Sequence, residues 1–458
     1  MDTIAAIATG HSPTAIGIVR VSGDGCFALC DKVFRATNSR PFSEQPSHKM
    51  AFGEMLDGQG RVIDQGLAVR FPGPHSYTGE DSAEFHCHGS PVVLRELLSA
   101  LFAAGARQAK AGEFTQRAFL NGRLDLTQAE AVIDLIDAET AAAARNAAAQ
   151  LDGGLRRVLE PIQDALLDIT SRFYAVVDYP DEDIEDVQPE QVAEALSSAE
   201  GQLTALLATC QRGKVLKSGV RTAIVGRPNA GKSSLLNALA GYERAIVTDI
   251  PGTTRDTVEE SVLCGGVLLR LIDTAGIRDT EDIVEQKGVE RSRQAITSAD
   301  LVLAVVDGTE KPTGGGEIFR LAAECPHWIA VYTKRDLAPP YMVLASSPAP
   351  AVPPAASVSL SSVTGEGLDR LESAVAALFP AGDPKEAGSL LTDQRQEEAV
   401  RRARDAVRRA REALESGLTP DAVLTDAEEA LDALGELTGR TAREEIVSRI
   451  FSRFCVGK

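Results

Sequence analysis

The 458-residue chain is short of positive charge: 47 Lys and Arg stand against 66 Asp and Glu, a formal net charge of -19. That balance excludes a protein that coats nucleic acid through a non-specific basic surface, while leaving room for a local basic face. Cysteine is sparse, seven in all, scattered and odd in number. No disulfide framework is expected, and a reducing compartment is. No apolar run approaches the roughly 18 residues that a membrane-crossing helix needs. The opening residues, Met1 to Gly10, have no basic stretch ahead of their short apolar one. A cytoplasmic protein without membrane attachment is therefore predicted. No internal repeats are found. What remains is ordinary globular composition, 44% hydrophobic and 25% charged, on a chain too long for one core; about two to four domains are expected.

One stretch organises the rest. Thr222 to Val225 reads as a buried strand, Gly226-Arg-Pro-Asn-Ala-Gly-Lys-Ser233 fits G-x-x-x-x-G-K-[ST], and Ser234-Leu-Leu-Asn-Ala-Leu239 continues as a helix. Strand, glycine loop and helix are the context this motif requires. Backbone N–H groups of the loop and the helix start would cradle phosphates. Lys232 would reach the β- and γ-phosphates, and the Ser233 hydroxyl would ligate Mg²⁺. The predicted nucleotide contacts of this loop are Asn229, Ala230, Gly231, Lys232, Ser233 and Ser234.

Further strands at Val267 to Ile272, Leu301 to Val306 and Trp328 to Tyr332 alternate with helical segments, so a parallel sheet is predicted. Asp273-Thr274-Ala275-Gly276 ends one strand and supplies a carboxylate for the Mg²⁺ shell and an amide for the γ-phosphate. In Thr333-Lys334-Arg335-Asp336 the final carboxylate can accept both N–H groups of the guanine edge, which adenine does not offer, while Lys334 packs over the base plane. Ser361 and Ser362, before Thr364-Gly-Glu-Gly367, would add a base contact. Together these read as GTP. Ras-like enzymes orient the attacking water with a glutamine just after D-x-x-G and offset charge with an arginine finger. Here Ile277 holds the glutamine position, so assistance must come from elsewhere. Thr248 to Asp256 forms the first switch, with Thr254 suited to Mg²⁺ and the γ-phosphate. Asn229 and the threonines of that loop can coordinate a monovalent cation where the arginine charge would otherwise sit.

The flanks differ in character. Residues 1 to 118 look mixed α/β, with strands at Ala15–Ser22, Gly66–Phe71 and Ser82–His88 and a helix from Pro91 to Ala104. His86-Cys87-His88 invites a metal reading, but in a strand Cys87 points away from both histidines, and no second ligand cluster exists. Residues 119 to 217, and those after Pro384, read as helical. The acidic run Asp178 to Asp186 is either a solvated connection or an electrostatic or metal site. Arg395 and the six arginines between Arg401 and Arg411 are either a solvated face or an RNA-binding one. Ala345 to Ala356 is expected to be a loose Pro-rich insertion.

Taken with Gly17-Ile-Val-Arg-Val-Ser-Gly23, Ser76-Tyr-Thr-Gly-Glu-Asp81, Gly112-Glu-Phe-Thr-Gln-Arg-Ala-Phe-Leu-Asn121, Asp178-Tyr-Pro-Asp-Glu-Asp183 and the terminal Cys455-Val-Gly-Lys458, these motifs make the chain resemble the MnmE (TrmE) family of tRNA-modification GTPases over essentially its full length. The resemblance implies a multidomain α/β and all-α architecture. It has a dimerising α/β tetrahydrofolate-binding domain (1–118), a discontinuous helical domain (119–217 and 379–458) and an inserted Ras-like P-loop GTPase domain (218–378). It implies a homodimer joined by the FAD-dependent partner MnmG in a heterotetramer or larger complex. The pair would install a carboxymethylaminomethyl or aminomethyl group at C5 of the wobble uridine of certain tRNAs. The carbon would come from 5-formyl- or 5,10-methylene-tetrahydrofolate. By position, K⁺ would be held by Asn229, Thr248, Ile250 (through its backbone) and Thr253, and Mg²⁺ by Ser233 and Thr254. Folate would meet Arg20, Glu84, Arg123 and Lys458, and Glu285 would assist hydrolysis through a bridging water. Cys455 is either a functional thiol or a small buried residue near the folate. Two positions depart from the family pattern. Thr333 stands where asparagine is usual, which predicts weaker nucleotide affinity, and Arg123 stands where lysine is common. A ribosome-assembly or signalling GTPase would need neither the N-terminal domain nor the terminal tail. A folate one-carbon transferase with a merely regulatory GTPase would leave tRNA unmodified.

Overall fold

The structure is a computed structural model describing residues 2–10, 12–178, 188–242, 260–272, 293, 295–309, 316–337, 352–380, 386–442 and 444–457. The chain divides into two compact units. The first comprises Met1–Ile133, Leu166–Glu182 and Pro420–Lys458; the second comprises Asp134–Ala165 and Asp183–Thr419. The acidic run beyond Asp178, and the Pro-rich stretch up to Ala351, lie outside the described residues.

The first unit is built on β1 (Ile4–Ile7), β2 (Thr14–Ser22), β3 (Phe34–Ala36), β4 (Ala51–Leu56), β5 (Val62–Phe71), β6 (Ser82–Gly89) and β7 (Arg107–Gln108). They form one sheet in the order β3-β4-β5-β6-β2-β1-β7. All neighbours pair antiparallel except β1 with β7. The period of two sorts the side chains. Val19 and Val21 of β2, with Ala83, Phe85 and Cys87 of β6, enter the core, so Arg20, Glu84 and His86 take the opposite face. The helix Pro91–Ala104 closes the core through Leu94, Leu97 and Leu101. Its start is encoded locally: the Ser90 hydroxyl accepts from the Val92 amide at 3.3 Å and Pro91 occupies the first turn. His86, Cys87 and His88 go separate ways. The Cys87 thiol lies 3.5 Å from the Gly17 carbonyl, and burial lifts it to about 11. The His88 ring lies 2.9 Å from Asp64, and His86 Nε2 lies 3.4 Å from Glu84. Among the described residues no group of three or more His, Cys, Asp or Glu could hold a metal ion.

A smaller core joins the helix Leu126–Ile136 to Glu444–Phe451 through Leu126, Ala129, Val447, Ile450 and Phe451. Asp125 and Gln128 cap the first of these reciprocally. The Asp125 carboxylate accepts from the Gln128 amide at 2.8 Å, and the Gln128 side chain accepts from the Asp125 amide at 2.9 Å.

The second unit holds β8 (Val220–Gly226), β9 (Glu260–Cys264), β10 (Val267–Ile272), β11 (Leu301–Asp307), β12 (Trp328–Thr333) and β13 (Ala356–Ser359), in the order β13-β12-β11-β8-β10-β9. Every pairing is parallel except that of β9 with β10. Apolar clusters cover both faces, so β11 reads as an unbroken buried run from Leu301 to Val305. The strand order reverses at β8, the place where open α/β sheets form a ligand crevice beyond the strand ends.

Two long helices, Pro189–Ala208 and Gln394–Glu415, complete the unit. The second buries a stripe of Ala399, Val400, Ala403, Ala406, Val407 and Ala410, small side chains that let a neighbouring backbone come close. Along it Arg401 pairs with Glu397, Arg404 and Arg408 with Asp405, and Arg411 with Glu200 and Glu415. No described helix is long and apolar enough to cross a membrane.

Candidate functional site

The crevice at the end of β8 is assembled from three loops. β8 runs into the phosphate loop, and the helix Lys232–Tyr242 follows it. The loop turns through Asn229 at φ 61° and Gly231 at φ 94°. At Gly231 the left-handed backbone favours glycine, and the Thr333 hydroxyl stands 3.1 Å from where a Cβ would be. The Lys232 ammonium donates to the carbonyls of Gly226 and Arg227, each at 2.9 Å, and burial pushes its pKa down. Ser233 and Ser234 sit in the first turn of the helix, whose free N–H groups face the same crevice.

The segment Thr333 to Asp336 leaves the end of β12 beside this loop. The Thr333 hydroxyl, 2% exposed as part of a buried residue, donates to the Ala230 carbonyl at 2.6 Å, with the Val306 carbonyl at 3.2 Å. Lys334, at φ 58°, pairs with Asp307 at the end of β11. Arg335 donates its amide to the Leu360 carbonyl at 3.2 Å and its side chain to Glu366 at 3.2 Å. Asp336 is exposed, and its carboxylate has no partner among the described residues. It is therefore open to a donor pair from a ligand. In the third loop the Ser361 hydroxyl accepts from the amides of Val363 and Thr364 at 3.3 and 3.2 Å, while the Ser362 hydroxyl is buried without a partner among the described residues. The structure thus brings together Asn229, Ala230, Gly231, Lys232, Ser233, Thr333, Lys334 and Asp336, with Ser361 and Ser362 on the adjoining loop. Thr248, Ile250, Thr253, Thr254, Asp273, Thr274, Ala275, Gly276, Ile277 and Glu285 lie outside the described residues. Of the predicted cation ligands, Asn229 and Ser233 are described, and both are oxygen donors suited to K⁺ and Mg²⁺.

A second set belongs to the first unit. Arg20 donates to Glu84 at 2.9 Å, so the two form a pair rather than separate contacts. The Arg20 guanidinium lies 5.5 Å from the Tyr77 ring and 5.6 Å from Phe114. Tyr77 bonds Thr115 at 2.9 Å, and burial raises its phenol pKa. Arg123 is exposed, its side chain against Gly79. The terminal tail joins this unit: Val456 bridges Ala111, and the Gly112 amide donates to the Cys455 carbonyl at 3.3 Å. Cys455 is exposed, so the reading of it as a small buried residue is corrected. Lys458 lies outside the described residues.

Sequence reasoning missed Asp307 and Arg335, which hold the segment Thr333 to Asp336, and the ion network of the buried Arg117 with Asp2, Glu80 and Glu113. That network explains why the stretches 76–81 and 112–121 occur together, for each supplies a partner to the other. A further bond, from the Asn121 amide to the Thr78 carbonyl at 2.7 Å, closes the same junction.

Two family models match the chain: "GTP-binding protein TrmE N-terminus" over residues 3–123 and "MnmE helical domain" over residues 126–455. Among its relatives, the tRNA modification GTPase MnmE of Symbiobacterium thermophilum is 45% identical, over 100% of this chain and 99% of that one. The proteins of the same description from Roseiflexus castenholzii and Geobacillus thermodenitrificans are each 42% identical over the same shares.

Proposed function

The chain belongs to the MnmE family of tRNA modification GTPases, and from that premise we propose that it is a K⁺-dependent GTP hydrolase working with an FAD-containing MnmG partner. The product is a carboxymethylaminomethyl or aminomethyl group at C5 of the wobble uridine. The carbon comes from a reduced folate. The observation that carries the nucleotide part is the Thr333 bond to Ala230, which joins the base loop to the phosphate loop at the switch point of a parallel sheet. Lys232 and the loop amides hold phosphate, Ser233 and Thr254 hold Mg²⁺, and Asp336 selects guanine. Asn229, Thr248, Ile250 and Thr253 hold K⁺, whose charge stands in for an arginine finger. Asp273 to Gly276 sense the γ-phosphate, and Glu285 orients water in place of Ile277. Arg20, Glu84, Arg123 and Lys458 hold the folate on the first unit, with Cys455 beside it as an accessible thiol. The working form is a cytoplasmic homodimer, and the GTPase domain is an insertion, 218–378, within a helical domain.

A reconstituted reaction tests this reading. Unmodified tRNA, GTP, a reduced folate, the nitrogen donor and the FAD partner are incubated with the protein in KCl or NaCl, and wobble uridines are read by mass spectrometry. Modified uridine should form in KCl and require partner and folate. No product in the complete mixture, or equal yield in NaCl, overturns it.

A further inference from the structure

Asp307 lies outside the motifs discussed so far, at the last position of β11. Its residue is 9% exposed, and both ends of its carboxylate are committed. One oxygen accepts from the Thr309 amide at 2.9 Å and the Thr309 hydroxyl at 2.7 Å; the other takes the Lys334 ammonium. Burial works to raise this carboxyl, but the bonds from Lys334 and Thr309 outweigh it and leave it below the ordinary carboxylate range. Lys334 itself sits at φ 58°, a conformation that a non-glycine residue holds only when its surroundings enforce it. The Gly308 amide, donating to the Thr333 carbonyl at 3.0 Å, fastens the same corner from the other side.

We infer that Asp307 is a positioning residue for guanine recognition: it anchors the Lys334 ammonium so that the aliphatic stem of that lysine lies flat as the floor of the base site. An unanchored lysine has about four freely rotating bonds, and ordering them on binding costs conformational entropy. With the ammonium already tied to a buried carboxylate, that ordering is done before nucleotide arrives. The inference rests on the guanine-site reading above.

The test is a double-mutant cycle on GDP affinity, read by displacement of a fluorescent guanine nucleotide from the full chain. Asp307→Asn should weaken GDP about tenfold, the scale of one lost charge-assisted hydrogen bond. Lys334→Met, which keeps the stem and removes the ammonium, should weaken it similarly. In the Lys334→Met background Asp307→Asn should add almost nothing, because its target is gone. Full multiplication of the two losses, or a GDP affinity unchanged in Asp307→Asn, overturns the proposal. Asp336→Asn is the control for the underlying site. If it leaves GDP binding intact, the guanine-site reading fails; if it abolishes GDP binding while Asp307→Asn has no effect, the positioning role alone fails.

Discussion

At the scale of the residue, Thr333 ties the loop after β12 to the loop after β8. A threonine offers less than the family's usual asparagine, which by itself predicts a looser nucleotide site. The structure gives the hydroxyl a specific task instead, a 2.6 Å bond to the buried Ala230 carbonyl. The Thr333 side chain also packs directly on Gly231. Thr333→Val keeps the shape and removes only this donor. The orphaned carbonyl should then cost about 1–2 kcal/mol, or about tenfold in GDP affinity. Thr333→Asn retains a donor and should lose less than the valine variant. Titration with a fluorescent nucleotide checks the order. A valine variant that binds as tightly as wild type would show that the bond does not reach the nucleotide.

At the scale of the element, Asp2 ahead of the first strand, the loop 76–81 and the helix Glu113–Leu120 are fastened by one guanidinium. Arg117 is 4% exposed and meets Asp2 at 2.8 Å, Glu80 at 2.9 Å and Glu113 at 3.1 Å. A charge so buried is tolerated only when fully paired, and stripping one partner costs about 3–5 kcal/mol. Burial works to raise the Glu113 carboxyl, but bonds from Arg107, the Lys110 amide and Arg117 hold it at about 2 against an ordinary 4.5. Because the folded pKa is the lower one, the stabilisation is complete above the unfolded value and fades as pH falls toward about 2. Glu113→Gln should therefore melt earlier than wild type at neutral pH, by the equivalent of roughly 3 kcal/mol. The gap should close as pH drops below about 4. Parallel melting curves at every pH would remove Glu113 from the network. Much of this scale is legible in advance. The helix Pro91–Ala104 announces itself through Ser90, Pro91 and a leucine stripe, and the strand, loop and helix around Gly226–Ser233 follow from their motif. The hairpin of β9 and β10 had a signal that went unread: Gly265 and Gly266, both at positive φ, form its two-residue turn. The pairing of Arg20 with Glu84, and of Arg411 with Glu200, had none. Partners 64 and 211 positions apart are chosen by the tertiary fold, and periodicity reports only which face a side chain takes.

At the scale of the whole molecule, the end of the chain returns to its beginning. Residues 455–457 lie in the first unit against Ala111, Gly112 and the end of β1. Gly457, at φ 106°, stands so near the Ile7 carbonyl that an added Cβ would come within 2.2 Å of it. β1 is the strand next to Arg20, which pairs with Ala6 in register. The tail thus lies beside β1, the neighbour of the strand that carries Arg20, whereas the loops after β8 and β12 belong to the second unit. This division predicts that the two ligands can be uncoupled by the tail. Deleting Cys455 to Lys458 should weaken a reduced folate about ten- to a hundredfold, the worth of one charge-assisted contact, and leave GDP affinity at the wild-type value. Gly457→Val supplies an independent route, because it forces the tail off β1 while keeping every charge in place. Calorimetry with folate and with GDP reads both variants. If folate binds the truncated chain as before, the tail is only a structural clasp. If GDP affinity falls in step, its contribution is to the fold of the whole chain and not to a folate site.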